Sequence, residues 1–359
     1  FYLYQYNGYS VYFAESIDKM GDNIKEVKPH IMTVVPRLIE KVYDKIYDKG
    51  TSAGGLKTKI FLWALGVNKA KKEIGKPSGL KEIIADKLVF SKWREGLGGN
   101  IITLVSGSAA LQPRLNKMFQ NAGIPILEGY GLTETSPVIA VNSFGKIKVG
   151  TVGHVLDNLQ VKIQEDGEIT VKGPSVFKGY FKNEEMTKEV FTEEGFFKTG
   201  DIGHIDEEGY LHITDRKKEM FKTSGGKYIA PQAIENQAKA SKFIEQIMVV
   251  GDGEKMPCAL IQPDFNFVQH WAERKQINVG TTPEEIAKSP ELKERIGKEI
   301  DYLNSKLGNW ERIKRFQLTP EVWSIETGIL TPTLKLKRKA VKERFIDLYN
   351  KMYDHDQEA

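Results

Sequence analysis

Hydrophobic and polar positions follow three different rhythms along this chain. In the first, short apolar runs lead into turns and then into helical spacing. Ile101-Ile102-Thr103-Leu104-Val105 runs into Ser106-Gly107-Ser108, the pattern of a buried strand entering a turn. Pro113 to Asn121 reads as the helix that follows, with proline early and Gly123 just past its end. Ile124-Pro125-Ile126-Leu127-Glu128 is the next short strand. Such strand–turn–helix units place ligand-binding loops at the carboxyl ends of a mostly parallel sheet.

After about Gly145 the period shortens to two. Val161-Lys162-Ile163, Glu168-Ile169-Thr170-Val171-Lys172 and Tyr210-Leu211-His212-Ile213-Thr214 alternate, with Asp166-Gly167 and Glu208-Gly209 as punctuation. That combination predicts antiparallel hairpins. Past Asp215 the rhythm mixes, with a helix near Pro231–Ala240, a strand at Ile247–Val250 and long charged helices to about Leu307. Three blocks are expected: α/β over 1–145, antiparallel and β-rich over 146–217, and a smaller α+β domain over 218–359. No internal repeat or low-complexity tract interrupts them.

Composition narrows the class. In 359 residues, 40% hydrophobic and 28% charged content excludes a disordered chain, a collagen-like fibre and a coiled-coil rod. No apolar run approaches the ~20 residues a membrane-spanning helix needs. One cysteine, Cys258, excludes an internal disulfide framework or a multi-thiolate zinc site and agrees with a reducing compartment. The six histidines include no His-x-x-x-His pair. The net charge of +4 arises beyond residue 215. Lys335, Lys337, Arg338, Lys339, Lys342 and Arg344 cluster there against Glu343 alone, which suits a solvated helix face or a polyanion site. The chain opens Phe1-Tyr2-Leu3-Tyr4 without an initiator Met or a signal-peptide pattern, so it is expected to begin inside a domain.

Five segments hold candidate chemistry. Glu128-Gly129-Tyr130-Gly131-Leu132-Thr133-Glu134 combines close-approach glycines, an aromatic face, a hydroxyl and a carboxylate suited to Mg²⁺ beside phosphates, although a Gly-Tyr-Gly turn alone is more often only a turn. Thr199-Gly200-Asp201 offers an acid for a ribose diol. Asp215-Arg216-Lys217-Lys218-Glu219 precedes Lys222-Thr223-Ser224-Gly225-Gly226-Lys227-Tyr228, and Leu330-Thr331-Pro332-Thr333-Leu334-Lys335 comes last. In order and spacing, these segments resemble the AMP-forming acyl-CoA ligases of the adenylate-forming superfamily over essentially the whole chain. Val35-Pro36-Arg37-Leu38-Ile39-Glu40-Lys41-Val42-Tyr43, the ending with Leu334 where other branches carry Gly, and the insertion at about 50–98 look like the long-chain fatty acid branch.

The resemblance implies a partial large α/β domain with an antiparallel β-rich subdomain, then a small mobile α+β domain. It also implies ATP and Mg²⁺, with CoA as co-substrate. A fatty acid would be activated through acyl-AMP to acyl-CoA, releasing pyrophosphate and AMP. Ser108, Ala109, Glu128, Gly129 and Tyr130 are implied around the adenine, Thr133 at phosphate and Glu134 at Mg²⁺. Asp201 and Arg216 would meet the ribose, Lys222 the AMP side, and Lys335 the carboxylate and α-phosphate. Lys218 corresponds to the hinge, and Gly225, Gly226 and Tyr228 to the CoA channel. Solvated lysines and a packed aromatic are the plain alternatives for Lys222 and Tyr228.

The family's Ser/Thr/Gly-rich phosphate loop is missing. Gly50-Thr51-Ser52-Ala53-Gly54-Gly55-Leu56-Lys57-Thr58 misses the phosphate-loop spacing by one residue and is expected to be a surface linker. The chain by itself is therefore expected to be inactive. Two other readings stay open: a fatty acyl-AMP ligase loading a carrier protein, and a non-catalytic nucleotide-binding chain. The apolar stretch Leu56–Leu65, flanked by Lys69, Lys71 and Lys72, fits a core or subunit-contact helix, or a peripheral membrane contact of a cytoplasmic protein. His204 and His212 are expected to be structural. No nucleic-acid partner is expected, and oligomeric state stays open.

Overall fold

The structure, a computed structural model, describes residues 2–16, 19–71, 74–75, 77–331 and 334–354. Lys72, and Pro332 and Thr333 of the last motif, lie outside the described residues. The chain forms two compact units, Phe1–Gly129 with Val141–Gly150, and Tyr130–Ala140 with Thr151–Ala359.

In the first unit, α1 (Tyr2–Tyr6) and α2 (Met20–Val27) precede strand β1 (Ile31–Val34). Helices α3 (Pro36–Ser52), α4 (Gly55–Ala70) and α5 (Leu80–Ala85) follow, then a π-helical turn over Asp86–Phe90 and α6 (Ser91–Gly96). Strand β2 (Thr103–Ser106), helix α7 (Pro113–Asn121) and strand β3 (Ile126–Gly131) complete the sequence. The strands are parallel, with Ile31 opposite Thr103 and Leu104 opposite Ile126. Their apolar residues pack with Leu115, Phe119, Trp93 and Ala64 in one core. Helix α7 starts at its proline, whose fixed φ suits the first helical turn, and Gly123 follows it at φ +74°.

The expected linker at 50–58 is corrected. Helix α3 runs through Ser52 and α4 starts at Gly55, leaving only Ala53 and Gly54 between them. A Cβ on Gly50 would lie 2.5 Å from the Phe61 ring, so glycine here allows α3 and α4 to cross closely. The stretch is an exposed helical corner with a two-residue link, not a phosphate loop and not an extended linker. Within α4, Phe61, Ala64 and Leu65 enter the core, whereas Leu56, Leu62 and Trp63 face outward.

In the second unit, Leu156 donates its amide to Ile139, linking β4 (Val138–Val141) to the residue after β5 (His154–Val155). A four-stranded antiparallel sheet follows: β6 (Gln160–Ile163), β7 (Glu168–Lys172), β8 (Phe197–Ile205) and β9 (Leu211–Arg216), in that order. Helix α8 (Glu184–Glu189) lies between β7 and β8 in the chain. Buried positions alternate along β8, the pattern of a sheet with one face on the core. A short hairpin of β10 (Phe221–Lys222) and β11 (Tyr228–Ile229) leads to α9 (Pro231–Ala238). Strands β12 (Ile244–Val250) and β13 (Cys258–Pro263) are antiparallel, and β14 (Arg315–Leu318) joins β13 in parallel. Helices α10 (Phe265–Lys275), α11 (Pro283–Lys288) and α12 (Pro290–Asn304) cover this sheet, and α13 (Arg338–Arg344) and α14 (Ile346–Tyr353) end the unit.

Candidate functional site

Pairing of β8 with β9 sets Asp201 directly opposite Arg216. The Asp201 carboxylate is 6% exposed and accepts from Arg216 Nε at 3.1 Å and from the Tyr130 hydroxyl at 2.7 Å. Burial, and then the neighbouring Asp201 charge, push the Tyr130 phenol above its ordinary range, so it stays a donor. A carboxylate has about four acceptor positions, which leaves room for a diol beside these two partners.

Lys335 belongs to the same neighbourhood. Desolvation, and then the Arg216 guanidinium, hold its ammonium below the usual lysine range, with Asp201 and Glu219 acting in the opposite sense. The backbone fixes this lysine tightly: its amide donates to Thr331 Oγ1 at 3.0 Å, and its carbonyl accepts from Thr331 N at 2.8 Å. The preceding Leu334 adopts φ +61°, a left-handed conformation that a leucine rarely takes.

Tyr130, Gly131 and Leu132 lead into a tight turn over Thr133–Thr135. A Cβ on Gly131 would lie 1.8 Å from the Pro137 carbonyl oxygen, so only glycine fits there. Thr135 ties the turn through its hydroxyl to Leu132 and Pro137, which leaves the Thr133 side chain exposed. One oxygen of Glu134 accepts from the Tyr180 hydroxyl at 3.1 Å.

The segment after Arg216 is held at several points. Lys217 donates to Asp166 at 2.6 Å and to Glu168 at 2.7 Å, and Glu168 also accepts from Gly200 N at 3.0 Å. Asp215 accepts from the α9 amide of Gln232 at 3.1 Å, and the Gln232 side chain donates to Glu219 at 2.8 Å. Burial pushes the Asp215 carboxyl up to about 6. Between these anchors the Lys218 side chain is exposed. On the β10–β11 hairpin, Lys222 lies opposite Tyr228 with its ammonium 5.5 Å from the ring centre, and Tyr228 is exposed. Gly225 and Gly226 form the hairpin tip, where Gly226 N donates to Thr223 O.

The remaining candidates are in the first unit. Ser106, Gly107, Ser108 and Ala109 leave the end of β2, with Ser108 at φ +72°. The buried Ser106 hydroxyl has no hydrogen-bond partner among the described residues. Glu128 and Gly129 lie on neighbouring β3, where Glu128 pairs with Ser106. The Glu128 carboxyl is buried and accepts from Asn116 Nδ2 at 2.6 Å, and burial pushes it up to about 7. His204 and His212 stack at 4.5 Å across β8 and β9, and His212 contacts Asp206 at 2.9 Å.

Sequence reasoning therefore marked Tyr130, Asp201, Arg216 and Lys335, which the second unit brings together. It gave no role to Tyr180, Glu168, Lys217, Asp215 or Gln232. Asp215 and Lys217 lay inside the marked Asp215–Glu219 segment and Glu168 on an expected strand; their partners, like Tyr180 and Gln232, show only through tertiary contacts.

Family comparison gives two matches. Residues 1–181 match the AMP-binding enzyme family, and residues 219–357 match the AMP-binding enzyme C-terminal domain. A long-chain-fatty-acid–CoA ligase, FadD15 of Mycobacterium tuberculosis, is 39% identical over 352 residues, covering 95% of this chain and 58% of the relative. Long-chain-fatty-acid–CoA ligase 6 of Rattus norvegicus is 34% identical over 368 residues, covering 98% and 52%. The chain thus spans about half the length of the curated relatives it matches. Among solved structures, the adenylation domain of a carboxylate reductase from Mycobacterium chelonae superposes with a TM-score of 0.70 at 21% identity, covering 94% of this chain and 48% of that one. The adenylation domain of a carboxylic acid reductase from Segniliparus rugosus, solved with AMP and a co-purified carboxylic acid, gives 0.69 at 22%, covering 94% and 49%.

Proposed function

The chain belongs to the AMP-binding enzyme family, and on that premise we propose that the protein carrying it activates long-chain fatty acids as CoA thioesters. The observation that carries this reading is the gathering of Asp201, Tyr130 and Arg216 with Lys335 in one electrostatic neighbourhood. The long-chain ligase names of the relatives support the acyl class.

In the first half-reaction, a fatty carboxylate oxygen attacks the α-phosphorus of ATP and the bond to pyrophosphate breaks. A carboxylate is a weak nucleophile, so fixed charges and orientation supply most of the acceleration. Lys335 brings a cation to the carboxylate and α-phosphate oxygens. Asp201 takes the ribose hydroxyls on its free acceptor positions, and Arg216, held by Asp201, meets the ribose beside it. Ser108, Ala109, Glu128, Gly129 and Tyr130 are assigned to the adenine, Thr133 to phosphate and Lys222 to the AMP side. In the second half-reaction, the CoA sulfur attacks the acyl carbonyl and the bond to AMP breaks. Gly225, Gly226 and Tyr228 are assigned to the pantetheine path, and exposed Lys218, between anchored neighbours, to the hinge. The three blocks 1–145, 146–217 and 218–359 are assigned to the large domain, its β-rich subdomain and the mobile small domain.

The donor set also fits Mg²⁺. The ion commonly takes one or two protein carboxylates and completes its shell with phosphate and water. Glu134 is such a single carboxylate, and among the described residues no group of three His, Cys, Asp or Glu forms a protein-only cage. Bound there, Mg²⁺ would neutralise phosphate charge. No helix among the described residues is long and apolar enough to cross a membrane, and a peripheral contact through the outward Leu56, Leu62 and Trp63 is part of this proposal.

Fatty-acid-dependent exchange of labelled pyrophosphate into ATP by the full-length protein tests the reading. Exchange that requires both the acid and Lys335 supports it, and its absence with every chain length overturns it.

A further inference from the structure

Three residues beyond Lys335, Arg338 opens helix α13 and makes a contact that the reaction does not itself require. Its Nη1 donates to Glu235 Oε1 at 2.7 Å, and its Nη2 donates to the carbonyl of Val249. The same Glu235 oxygen accepts from the Val249 amide at 2.7 Å. Glu235 is 7% exposed, and burial raises its carboxyl while the arginine opposes that rise. A buried carboxylate that accepts from a guanidinium and an amide is a rigid anchor, because removing either partner strands the other polar group.

The anchor lies on α9, one helical turn after Gln232. That earlier turn of α9 is itself tied to Asp215 by the Gln232 amide and to Glu219 by its side chain. One short helix therefore holds the residue beside Arg216 at one turn and Arg338 at the next. Lys335 is tied to Arg338 by a short, ordered path. Leu330 and Leu336 bridge across the turn, Lys337 N donates to Ile329 O at 2.8 Å, and Leu334 packs against a buried apolar cluster in spite of its left-handed backbone. A left-handed leucine persists only where its surroundings over-determine it.

We propose that Arg338, locked by Glu235 and Val249, is a positioning residue for Lys335, fixing its reach toward the Asp201–Arg216 pair through helix α9. This rests on Lys335 serving adenylate formation. Arginine suits the task because its planar fork engages two acceptors at once, which a lysine cannot reproduce. Arg338 touches no reacting atom, so its loss should act on the first half-reaction alone.

The test uses the full-length protein and three variants: Lys335→Ala, Arg338→Met and Arg338→Lys. Acid-dependent pyrophosphate exchange reports the first half-reaction, and thioester formation from supplied acyl-AMP reports the second. Arg338→Met should lower exchange by about 10²-fold, the loss for an ångström-scale misplacement, and leave thioester formation within about twofold. Arg338→Lys keeps the charge and should recover part of the exchange, so it decides the matter if the methionine variant does not fold. Equal loss in both half-reactions, or full exchange in Arg338→Lys, overturns the positioning role while leaving Lys335 in place. Full exchange in Lys335→Ala instead overturns the functional reading on which it rests.

Discussion

Replacing Glu128 with glutamine isolates the effect of burying one carboxyl between β3 and α7. Glutamine keeps the shape and the oxygen that accepts from Asn116 Nδ2, but it cannot ionise. In the folded chain burial pushes the carboxyl up to about 7, from an ordinary 4.5. The folded state therefore binds this proton more tightly than the unfolded state. Stability contributed by the protonated form is fully present below about pH 4.5 and is lost as pH rises toward 7. At about 1.4 kcal/mol per pH unit, the loss approaches ~3 kcal/mol by pH 8. Glutamine avoids that loss, but it turns an NH₂ toward the Leu111 amide, at a cost of about 1 kcal/mol. The variant should thus be slightly less stable than the parent at pH 5 and about 2 kcal/mol more stable at pH 8. Urea unfolding of both chains at the two pH values reads the crossover as a midpoint shift of about 0.5 M at pH 8. A difference between the two chains that does not change with pH would refute the raised carboxyl.

Further expectations concern the second unit. In the full-length protein, Lys335→Ala should slow acyl-adenylate formation by about 10²–10³-fold in single-turnover assays, while supplied acyl-AMP still reacts with CoA. Lys218→Pro should retain adenylate formation and lose most CoA transfer, because proline fixes φ at the proposed hinge. Asp201→Asn should raise the KM for ATP by about 10-fold or more, since the acceptor proposed for the ribose loses its charge. Gly131→Ala should destabilise the chain by about 1–3 kcal/mol in thermal unfolding, because its Cβ meets the Pro137 carbonyl.

Local signals carried most of the element reading. Proline at 113 and glycine at 123 bracket a helix that spans Pro113–Asn121, and Asp166-Gly167 joins two paired strands. Gly50 to Thr58 misled because glycine and threonine are poor helix formers, whereas the packing of Phe61 against Gly50 outweighs that preference. Tyr130, Asp201, Arg216 and Lys335 stood out in the sequence as motifs, but the contacts among them did not. Tyr130 and Asp201 are 71 positions apart, and Glu235 and Arg338 are 103 apart. No periodicity links residues at such separations. Glu235 in particular looks like an ordinary helix-surface acid until Val249 and Arg338 close over it.

The central claim is tested most directly by the products of the full-length protein supplied with ATP, Mg²⁺, CoA and a sixteen-carbon fatty acid. The account predicts AMP, pyrophosphate and acyl-CoA in equal amounts, with little AMP released when either the acid or CoA is omitted. Formation of ADP, or acyl-AMP that accumulates with CoA present and never becomes a thioester, would contradict it.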